Sequence, residues 1–405
     1  MSDAPLTVYV CDAIMGSGKT SAAINMMNKT PGRYVFVTQF LSEVERICHS
    51  CGFVQPVENI GNKIVSIQNL LRNHENIAST HALFYHYTEE TMQAIRDGHY
   101  TLVLDEVIDV VKLLEVSQSD IALMLDGDLI NVDPETKRVE WVRNSYDGKL
   151  NDYRAEIESG YVTYENGRFM VWTLPIELFT SFDRVYILTY LFQAQYQYYY
   201  FLSRKVNIRY IDVKLVDSIY QFFDDNFDLP VKHCIPDLKD KIHILDDTRV
   251  NAIGNSYFAL SSNWYRKITD TQALELKNNI YNVMHNIYHT SVNNILWSVY
   301  KHGFEKIKRK GYMGAFLTYN ARAMNNYGDR HYLAYCVNVF PDPEDVSYFK
   351  NQGYGFDEDG LALSCLIQWI WRSAIRNGDD IWIYIPSKRM RNLLMNWINS
   401  VCEVN

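Results

Sequence analysis

The sequence predicts a two-domain α/β fold in which helices flank mostly parallel sheets. Short apolar strands alternate with helical segments along most of the chain, and this alternation is typical of parallel sheets. A length of 405 residues predicts two domains. Hydrophobic residues make up 47% and charged residues 21%, which excludes wholesale disorder. No apolar stretch approaches the roughly 18 residues of a membrane-spanning helix, so no membrane partner is expected.

Five candidate strands lie in the first half of the chain. The first is β-branched and apolar, and a Gly-rich turn and a helical segment over about 20–27 follow it. A Pro31-Gly32 turn precedes the second strand. The predicted strands are residues 7–11, 34–38, 77–79, 102–104 and 185–188.

The stretch from about residue 125 to residue 172 interrupts this alternation. Dipeptides typical of turns separate its short alternating segments. We therefore expect an antiparallel β-hairpin insertion in the first domain. The four turn signals are Asp126-Gly127, Asp133-Pro134, Asp147-Gly148 and Asn166-Gly167.

A second α/β unit is predicted in the C-terminal half. The acidic run at 217–228, followed by Pro230 and Pro236, indicates a linker. We place the first domain at 1–205 and the second at 206–405. A long helix is expected over about 270–299. The candidate strands are residues 242–245, 257–260, 315–318, 332–337 and 381–385.

The most specific motif is the run Ala13-Ile14-Met15-Gly16-Ser17-Gly18-Lys19-Thr20, which follows a predicted strand and precedes a predicted helix. This is the context of a phosphate-binding loop. Gly16, Ser17 and Gly18 would bend the backbone so that its N–H groups face a β-phosphate, and the helix N-terminus would add positive charge. Lys19 would reach the β- and γ-phosphates of ATP, and Thr20 would offer its hydroxyl to Mg²⁺.

An acidic pair follows the strand predicted at 102–104. Asp105 would hold Mg²⁺ through its water shell, and Glu106 would orient and deprotonate the attacking water. Two strand–helix units separate this pair from the phosphate-binding loop, which favours a role in the same site. A glutamate next to the Mg²⁺-binding aspartate favours hydrolysis by water over transfer to a small acceptor.

The order of these motifs resembles that of superfamily 2 helicases, a group that includes the DEAD/DEAH-box proteins, and in particular compact helicases encoded by bacteriophages. Alanine at the first loop position is similar to the helicase variant AxxGxGKT, and residues 105–108 (DEVI) resemble motif II. Isoleucine stands at the last position of this motif, where DEAD or DEAH proteins have Asp or His. The resemblance implies two tandem RecA-like domains with ATP hydrolysed between them.

Three weaker segments of the first half fall in the order that the resemblance implies. Thr38 and Gln39 resemble motif Ia, and Thr80 and His81 resemble the Thr-His motif before motif II. The resemblance implies that these four residues touch the nucleic-acid backbone. Thr189-Tyr190 occupies the place of motif III. A solvated loop is the alternative interpretation of each segment.

Two polar segments of the second half match later helicase motifs. Ser261, in the segment 260–263, occupies the place of motif IV. Asn320, Arg322 and Asn325 belong to the segment 318–325, which resembles motif V. The resemblance implies that these four residues bind nucleic acid. A surface salt bridge is the alternative for Arg322.

Residues 368–376 (QWIWRSAIR) resemble motif VI, QxxGRxxR, which brings arginine fingers to the γ-phosphate. The matching residues are Gln368, Arg372 and Arg376, with Trp371 in place of the usual glycine. Four residues separate the two arginines, about one helical turn, so we expect both guanidinium groups to face the same way. The alternative is an amphipathic helix whose arginines are solvated.

The net charge of −9 argues against a surface covered with nucleic-acid-binding charge, but not against a basic groove. Segments 303–313 and 366–391 each have three more basic than acidic residues. Such strips suit a translocase on single-stranded or forked DNA, with RNA as an alternative. Phage replication or recombination proteins are the expected partners. Seven scattered cysteines and no secretory signal indicate the cytoplasm, that of the host if the chain is phage-encoded.

Two other functions remain open at this point. A nucleic-acid-stimulated ATPase switch or remodeller would share the motifs without unwinding a duplex. A P-loop kinase for a small molecule is more remote, since it predicts one compact domain with a lid and no motif VI. If the protein unwinds duplexes, the hairpin insertion is a candidate wedge.

Overall fold

A computed structural model describes residues 6–58, 62–235, 237–320 and 327–402 of the chain. These residues form two compact units. The first unit comprises the chain up to Asp12, Lys19–Leu229 and Asp342–Phe356. The second comprises Ala13–Gly18, Pro230–Pro341 and the chain from Asp357 onward. Within the described ranges, every helix is too short or too polar to cross a membrane.

Strands and helices alternate along both units. The strands are β1 (Thr7–Asp12), β2 (Arg33–Thr38), β3 (Ile77–Thr80), β4 (Tyr100–Asp105), β5 (Val111–Leu113), β6 (Ile130–Val132), β7 (Val139–Trp141), β8 (Val162–Glu165), β9 (Phe169–Thr173), β10 (Arg184–Thr189), β11 (Asn207–Val216), β12 (Ile219–Phe227), β13 (Ile242–Ile244), β14 (Ile295–Ser298), β15 (Ala315–Phe316), β16 (Tyr332–Tyr335) and β17 (Ile381–Tyr384). The α-helices are α1 (Lys19–Lys29), α2 (Leu41–Cys51), α3 (Lys63–Arg72), α4 (His81–Phe84), α5 (Glu89–Gly98), α6 (Gln118–Asp126), α7 (Arg154–Glu158), α8 (Glu177–Thr180), α9 (Tyr196–Ser203), α10 (Leu238–Lys241), α11 (Thr248–Asn251), α12 (Ser262–Arg266), α13 (Asp270–Asn282), α14 (Phe304–Ile307), α15 (Pro343–Asn351), α16 (Glu358–Ile370) and α17 (Lys388–Cys402).

The first unit is built on a seven-stranded sheet with the order β12-β11-β1-β10-β4-β2-β3. Every neighbouring pair is parallel except β11 and β12. Because β10 lies between β1 and β4, the carboxyl ends of these three strands meet at one edge of the sheet. Their apolar runs are buried almost throughout, as expected for a parallel sheet with helices on both faces. The five strands predicted in this half are confirmed.

The predicted β-hairpin insertion is also confirmed, and it extends further than the turn signals indicated. Strands β5, β9 and β8 form a three-stranded antiparallel sheet, and β6 pairs with β7. The apolar residues form a hydrophobic cluster of their own that includes Ile121, Met124, Val139, Ile157 and Met170. The insertion begins at β5 because this short strand pairs with β9, from which it is distant in the chain.

The acidic run at 217–228 is part of an antiparallel ribbon and not the predicted linker. Asp217 and Ser218 make the turn between β11 and β12, with φ of 49° and 65°. Since β11 pairs with β1, the sheet continues past residue 205 and the compact unit reaches Leu229. Asp224 and Asp225 are exposed on β12, an edge strand, and edge strands commonly bear charged residues.

One segment from the second half of the sequence belongs to the first unit. We call this segment, Asp342–Phe356, the arm. It contains α15, and the fully buried Phe349 is its anchor. The Phe349 ring lies 6.1 Å from that of Tyr196 and 6.0 Å from that of Phe356, measured between centroids. The chain therefore leaves the second unit after Pro341 and returns to it at Asp357.

The second unit has a wholly parallel five-stranded sheet with the order β13-β17-β16-β14-β15. Four of its predicted strands are confirmed. The strand predicted at 257–260 is wrong, because these residues form a turn, and the helix predicted at 270–299 is too long. Helix α13 ends at Asn282, and Ile295–Ser298 is the fully buried strand β14, which lies between β16 and β15. A continuous apolar run does not distinguish a buried strand from a buried helix.

Truncation of Phe349, the anchor of the arm, tests whether the arm packs on the first unit. We expect Phe349→Ala to lower the free energy of unfolding by about 3–5 kcal/mol, because it leaves a cavity among aromatic side chains. The measurement is urea denaturation followed by circular dichroism. The matched control is Lys350→Ala on the same helix, an exposed site where the change should stay within about 0.5 kcal/mol. Equally small effects of the two substitutions would contradict the docking.

Candidate nucleotide-binding site

The predicted phosphate-binding loop, Ala13–Gly18, joins β1 to α1. Gly16 and Gly18 have φ of 84° and 90°, in the left-handed region. A Cβ added to Gly16 would meet no atom within 4 Å, so backbone conformation and not space requires glycine there. The Ser17 N–H donates to the Ile14 carbonyl at 3.2 Å and closes the turn. Lys19 begins α1, and its side chain is largely buried.

Asp105, at the carboxyl end of β4, collects polar contacts from three neighbouring elements. Its Oδ1 accepts from the Thr20 hydroxyl and its Oδ2 from the Thr38 hydroxyl, each at 3.3 Å. Its carbonyl oxygen lies 3.2 Å from His81 Nε2. Burial, reinforced by the charge of Glu106, raises the pKa of Asp105 to about 7. A bound cation would therefore relieve an unfavourable negative charge.

Glu106 turns away from β4 through a strained backbone. Its φ is 70°, a conformation that costs a residue other than glycine about 1–3 kcal/mol. The Glu106 N–H donates to the Leu188 carbonyl at 2.9 Å, and Oε2 accepts from the Thr189 hydroxyl at 3.3 Å. Both partners belong to the carboxyl end of β10. The Glu106 carboxylate therefore lies at the sheet edge formed by the ends of β4 and β10.

Asp12 is a residue of this edge that the sequence analysis missed. Its carboxylate is buried and accepts the backbone N–H of Leu191 at 2.7 Å and that of Phe192 at 2.9 Å. Burial raises the pKa of Asp12 to about 6, although the two N–H donors act in the opposite direction. Asp12 joins the start of the phosphate-binding loop to the segment after β10. The available signal was an acidic residue at the end of an apolar strand.

The chemistry of these side chains fits Mg²⁺ and a nucleotide phosphate. Mg²⁺ takes oxygen ligands, often only one or two from protein, with phosphate and water oxygens as the rest. The Thr20 hydroxyl and the Asp105 carboxylate supply that donor set. Within the described ranges, the buried Ser17 hydroxyl has no hydrogen-bond partner. A hydroxyl that faces the phosphate of a nucleotide would find its partner in that phosphate. Those ranges contain no cluster of three His, Cys, Asp or Glu side chains that could hold a metal.

The four nucleic-acid contacts predicted in the first half divide into two pairs. Thr38 and His81 are buried, and both contact Asp105, a contact that the sequence analysis did not predict. They meet there because β2 and β3 end at the same sheet edge as β4. Gln39 is exposed. Thr80 is half-buried, and its hydroxyl caps α4 by accepting the Leu83 N–H at 3.4 Å.

The site residues predicted in the second half of the chain lie in several different local structures. Ser261 is buried and caps α12 by accepting the Trp264 N–H at 3.3 Å. Asn320 is exposed. Gln368, near the end of α16, donates to the Ser364 hydroxyl at 3.4 Å. The predicted residues Arg322 and Asn325 lie outside the described residues.

The prediction that the two motif VI arginines lie one helical turn apart is wrong. Helix α16 ends at Ile370, and Arg372 lies in the turn after it, half-buried. Arg376 is exposed in a separate 3₁₀ helix, Ala374–Asn377. Ser373 interrupts the helix because its backbone is extended (φ −90°, ψ −171°). The two arginines therefore do not lie one turn apart on a single α-helix.

Fold and site together define a protein of two tandem RecA-like domains, in which helices flank parallel sheets and the first domain contains a β-hairpin insertion. Among solved structures, apo XPD is similar, with a TM-score of 0.51 and 14% identity over 96% of this chain and 95% of that one. Xpd4 from S. tokodaii gives a TM-score of 0.46 and 12% identity, over 96% and 94%. At such identities the likeness concerns the fold alone.

Sequence comparison shows the family. The SPbeta prophage-derived uncharacterized protein YonV of Bacillus subtilis (strain 168) is 37% identical over 412 residues, which cover 97% of this chain and 99% of the relative. The family model for the YonV C-terminal Rossmann-like domain matches residues 236–398. This chain belongs to the YonV family.

The buried Asp12 carboxyl predicts a pH-dependent stability. Its pKa in the folded chain, about 6, exceeds the ordinary value of 3.8, so the folded chain retains a proton that the unfolded chain releases. The contribution of Asp12 to the free energy of unfolding therefore falls as the pH rises from about 4 to about 6, by about 3 kcal/mol. We expect Asp12→Asn to remove this fall, measured by urea denaturation at about pH 4.5 and pH 7. An equal loss of the free energy of unfolding between the two pH values in the wild type and in Asp12→Asn would contradict the assignment.

Proposed function

We propose that the protein is an ATP-dependent nucleic-acid helicase or translocase that acts on DNA in phage replication or recombination. The observation that carries the proposal is the contact of Thr20, which directly follows the phosphate-binding loop, with Asp105 at the edge that also holds Glu106. The motif order that resembles superfamily 2 helicases supports it, as does the fold shared with XPD. The prophage origin of the YonV relative supports the phage setting.

In this proposal the residues of the sheet edge divide the work of ATP hydrolysis. Bound Mg²⁺–ATP supplies the phosphoryl group and the charge that polarises it. Lys19 and the backbone of Gly16–Gly18 bind the phosphates, and Thr20 and Asp105 hold the metal. Glu106 orients the attacking water and accepts its proton, with its carboxylate steadied by Thr189. Thr38 and His81 would also position Asp105.

The second domain is proposed to supply the remaining functions. Arg372 or Arg376 would stabilise the charge that builds on the transferred phosphoryl group, with Gln368 beside them. The domain limits 1–205 and 206–405 stay sequence predictions. The proposed track is single-stranded or forked DNA, with RNA as the alternative, in the host cytoplasm. The proposed nucleic-acid contacts are those of the sequence prediction: Thr38, Gln39, Thr80, His81, Ser261, Asn320, Arg322 and Asn325.

Two substitutions separate nucleotide binding from hydrolysis. We expect Lys19→Ala to abolish ATP turnover, because the phosphates lose their cation. Glu106→Gln should retain ATP binding and stop hydrolysis, because the amide cannot accept a proton from water. Phosphate release and binding of a fluorescent ATP analogue measure the two properties. Turnover in Glu106→Gln close to that of the wild type would contradict the assigned role.

The motif VI arginines are tested one at a time. We expect the variant that removes the finger, Arg372→Ala or Arg376→Ala, to lose about 10³–10⁵ in turnover while ATP affinity is retained. The exposed Arg249 provides a matched control, because Arg249→Ala lies outside every predicted motif. Normal turnover in both motif VI variants would show that the motif assignment is wrong.

The experiment that tests the function is ATP hydrolysis with and without single-stranded DNA, single-stranded RNA and duplex, followed by strand displacement on a forked substrate. The proposal predicts stimulation by single strands and displacement that requires ATP. Stimulation without displacement would indicate the ATPase switch or remodeller. Hydrolysis that polynucleotides do not affect, together with a phosphorylated small molecule, would indicate the kinase. Deletion of the insertion with displacement intact would exclude its role as a wedge.

A further inference from the structure

Tyr257 and Phe258 differ from every other aromatic residue in the described part of the chain. Only these two, among the tyrosines, phenylalanines and tryptophans there, are exposed, with 57% and 65% of their surface in water. They are consecutive, and their ring centroids lie 4.9 Å apart with an interplanar angle of 87°. A fold that buries or half-buries the rest of its many aromatics leaves this pair in solvent. Exposed apolar groups of this kind mark binding surfaces.

The two rings rest on a fixed support. Phe340 lies 5.6 Å from Tyr257 and 5.4 Å from Phe258, measured between ring centroids. The Arg389 guanidinium covers Phe340 at 4.3 Å from its centroid. Arg389 is largely buried and forms an ion pair with Asp359 at 2.6 Å. Its charge is therefore already compensated, so Arg389 supports the rings and is not a phosphate ligand.

The backbone under the rings is held as firmly as the rings. Asn338 is fully buried, and its Nδ2 donates to the carbonyl of Tyr257 at 2.8 Å and to that of Ala259 at 3.0 Å. The Asn338 N–H donates to the Leu260 carbonyl at 2.9 Å. Because Asn338 follows β16, this turn lies at the carboxyl end of the second sheet. Because folding already orders the two rings, a ligand that binds them would not have to bear that entropic cost.

Polar groups suited to a phosphate backbone adjoin the aromatic turn. Ser262 follows it, and its carbonyl lies 2.9 Å from His302 Nε2. Lys301, the neighbour of His302, is exposed, as is Asn263. The exposed residues before the pair, Asn255 and Ser256, are also polar. The rings thus stand within a polar segment, an arrangement typical of surfaces that bind single-stranded nucleic acid.

We propose that Tyr257 and Phe258 form a stacking platform for the unstacked bases of a single-stranded nucleic acid. This inference rests on the proposed function and adds base contacts to backbone contacts. The flat rings accept any base, because every base presents a π-face, so the platform would bind without sequence preference. A protein partner is the competing occupant, and it would not depend on the presence of bases.

The test compares rings and bases in the full-length protein. The probes are a fluorescent oligo-dT, an abasic strand of equal length and an oligo-U. We expect Tyr257→Ala/Phe258→Ala to weaken oligo-dT and oligo-U binding roughly 5- to 150-fold, the range for loss of one stacked base, and to leave abasic binding unchanged. Tyr257→Phe/Phe258→Tyr keeps both rings and should bind as the wild type does.

The outcomes separate this inference from the function on which it rests. Thermal unfolding followed by circular dichroism should be the same in all three proteins, because the replaced side chains are exposed. Tight oligo-dT binding that the double alanine variant does not weaken would overturn the platform alone. An equal loss for oligo-dT and the abasic strand would also overturn it, because bases would play no part. If the wild type binds none of the strands, the proposed function fails together with the platform.

Discussion

The buried carboxylate of Asp105 is the interaction on which the candidate site depends. A carboxylate at the end of an apolar strand is unfavourable, and its pKa of about 7 expresses that cost. The hydroxyls of Thr20 and Thr38 offset part of it. The sheet order brings these groups together, because β10 lies between β1 and β4 and the three strands end at one edge. Thr189, at the end of β10, contacts Glu106, which directly follows β4. The site therefore follows from how the strands are ordered.

Much of the fold was predictable from local patterns, since strands of a parallel sheet are short apolar runs between helices. The errors arose where long-range pairing decides the structure. The acidic run at 217–228 resembles a linker in composition, but pairing with β11 makes it strand β12. The apolar run Ile295–Ser298 continues a helical pattern in the sequence, but its pairing with β16 makes it strand β14. Nothing local indicates that the arm joins the first unit, because its anchor Phe349 packs against residues distant in sequence.

The local structure of the site was predictable where one motif contains the residues. Gly16 and Gly18 adopt the left-handed backbone of a tight loop, and Thr20 contacts Asp105. Asp12 was missed because its role depends on the backbone N–H groups of Leu191 and Phe192, which only the sheet order brings near. The contact of Thr38 with Asp105 was missed as well, because the sequence neighbours of Thr38 do not reveal it. The two arginines of motif VI lie in different local structures because one residue, Ser373, adopts an extended backbone that the apolar pattern does not signal.

The central claim is that Thr20 and Asp105 form a Mg²⁺-dependent nucleotide site. Equilibrium binding of a fluorescent ATP analogue, titrated against Mg²⁺ in the wild type and in Asp105→Asn, tests it most directly. The account predicts that Mg²⁺ strengthens binding to the wild type and that the variant loses this dependence while keeping weak binding through Lys19. Absence of ATP binding to the wild type, or an identical Mg²⁺ dependence in the two proteins, would contradict the claim.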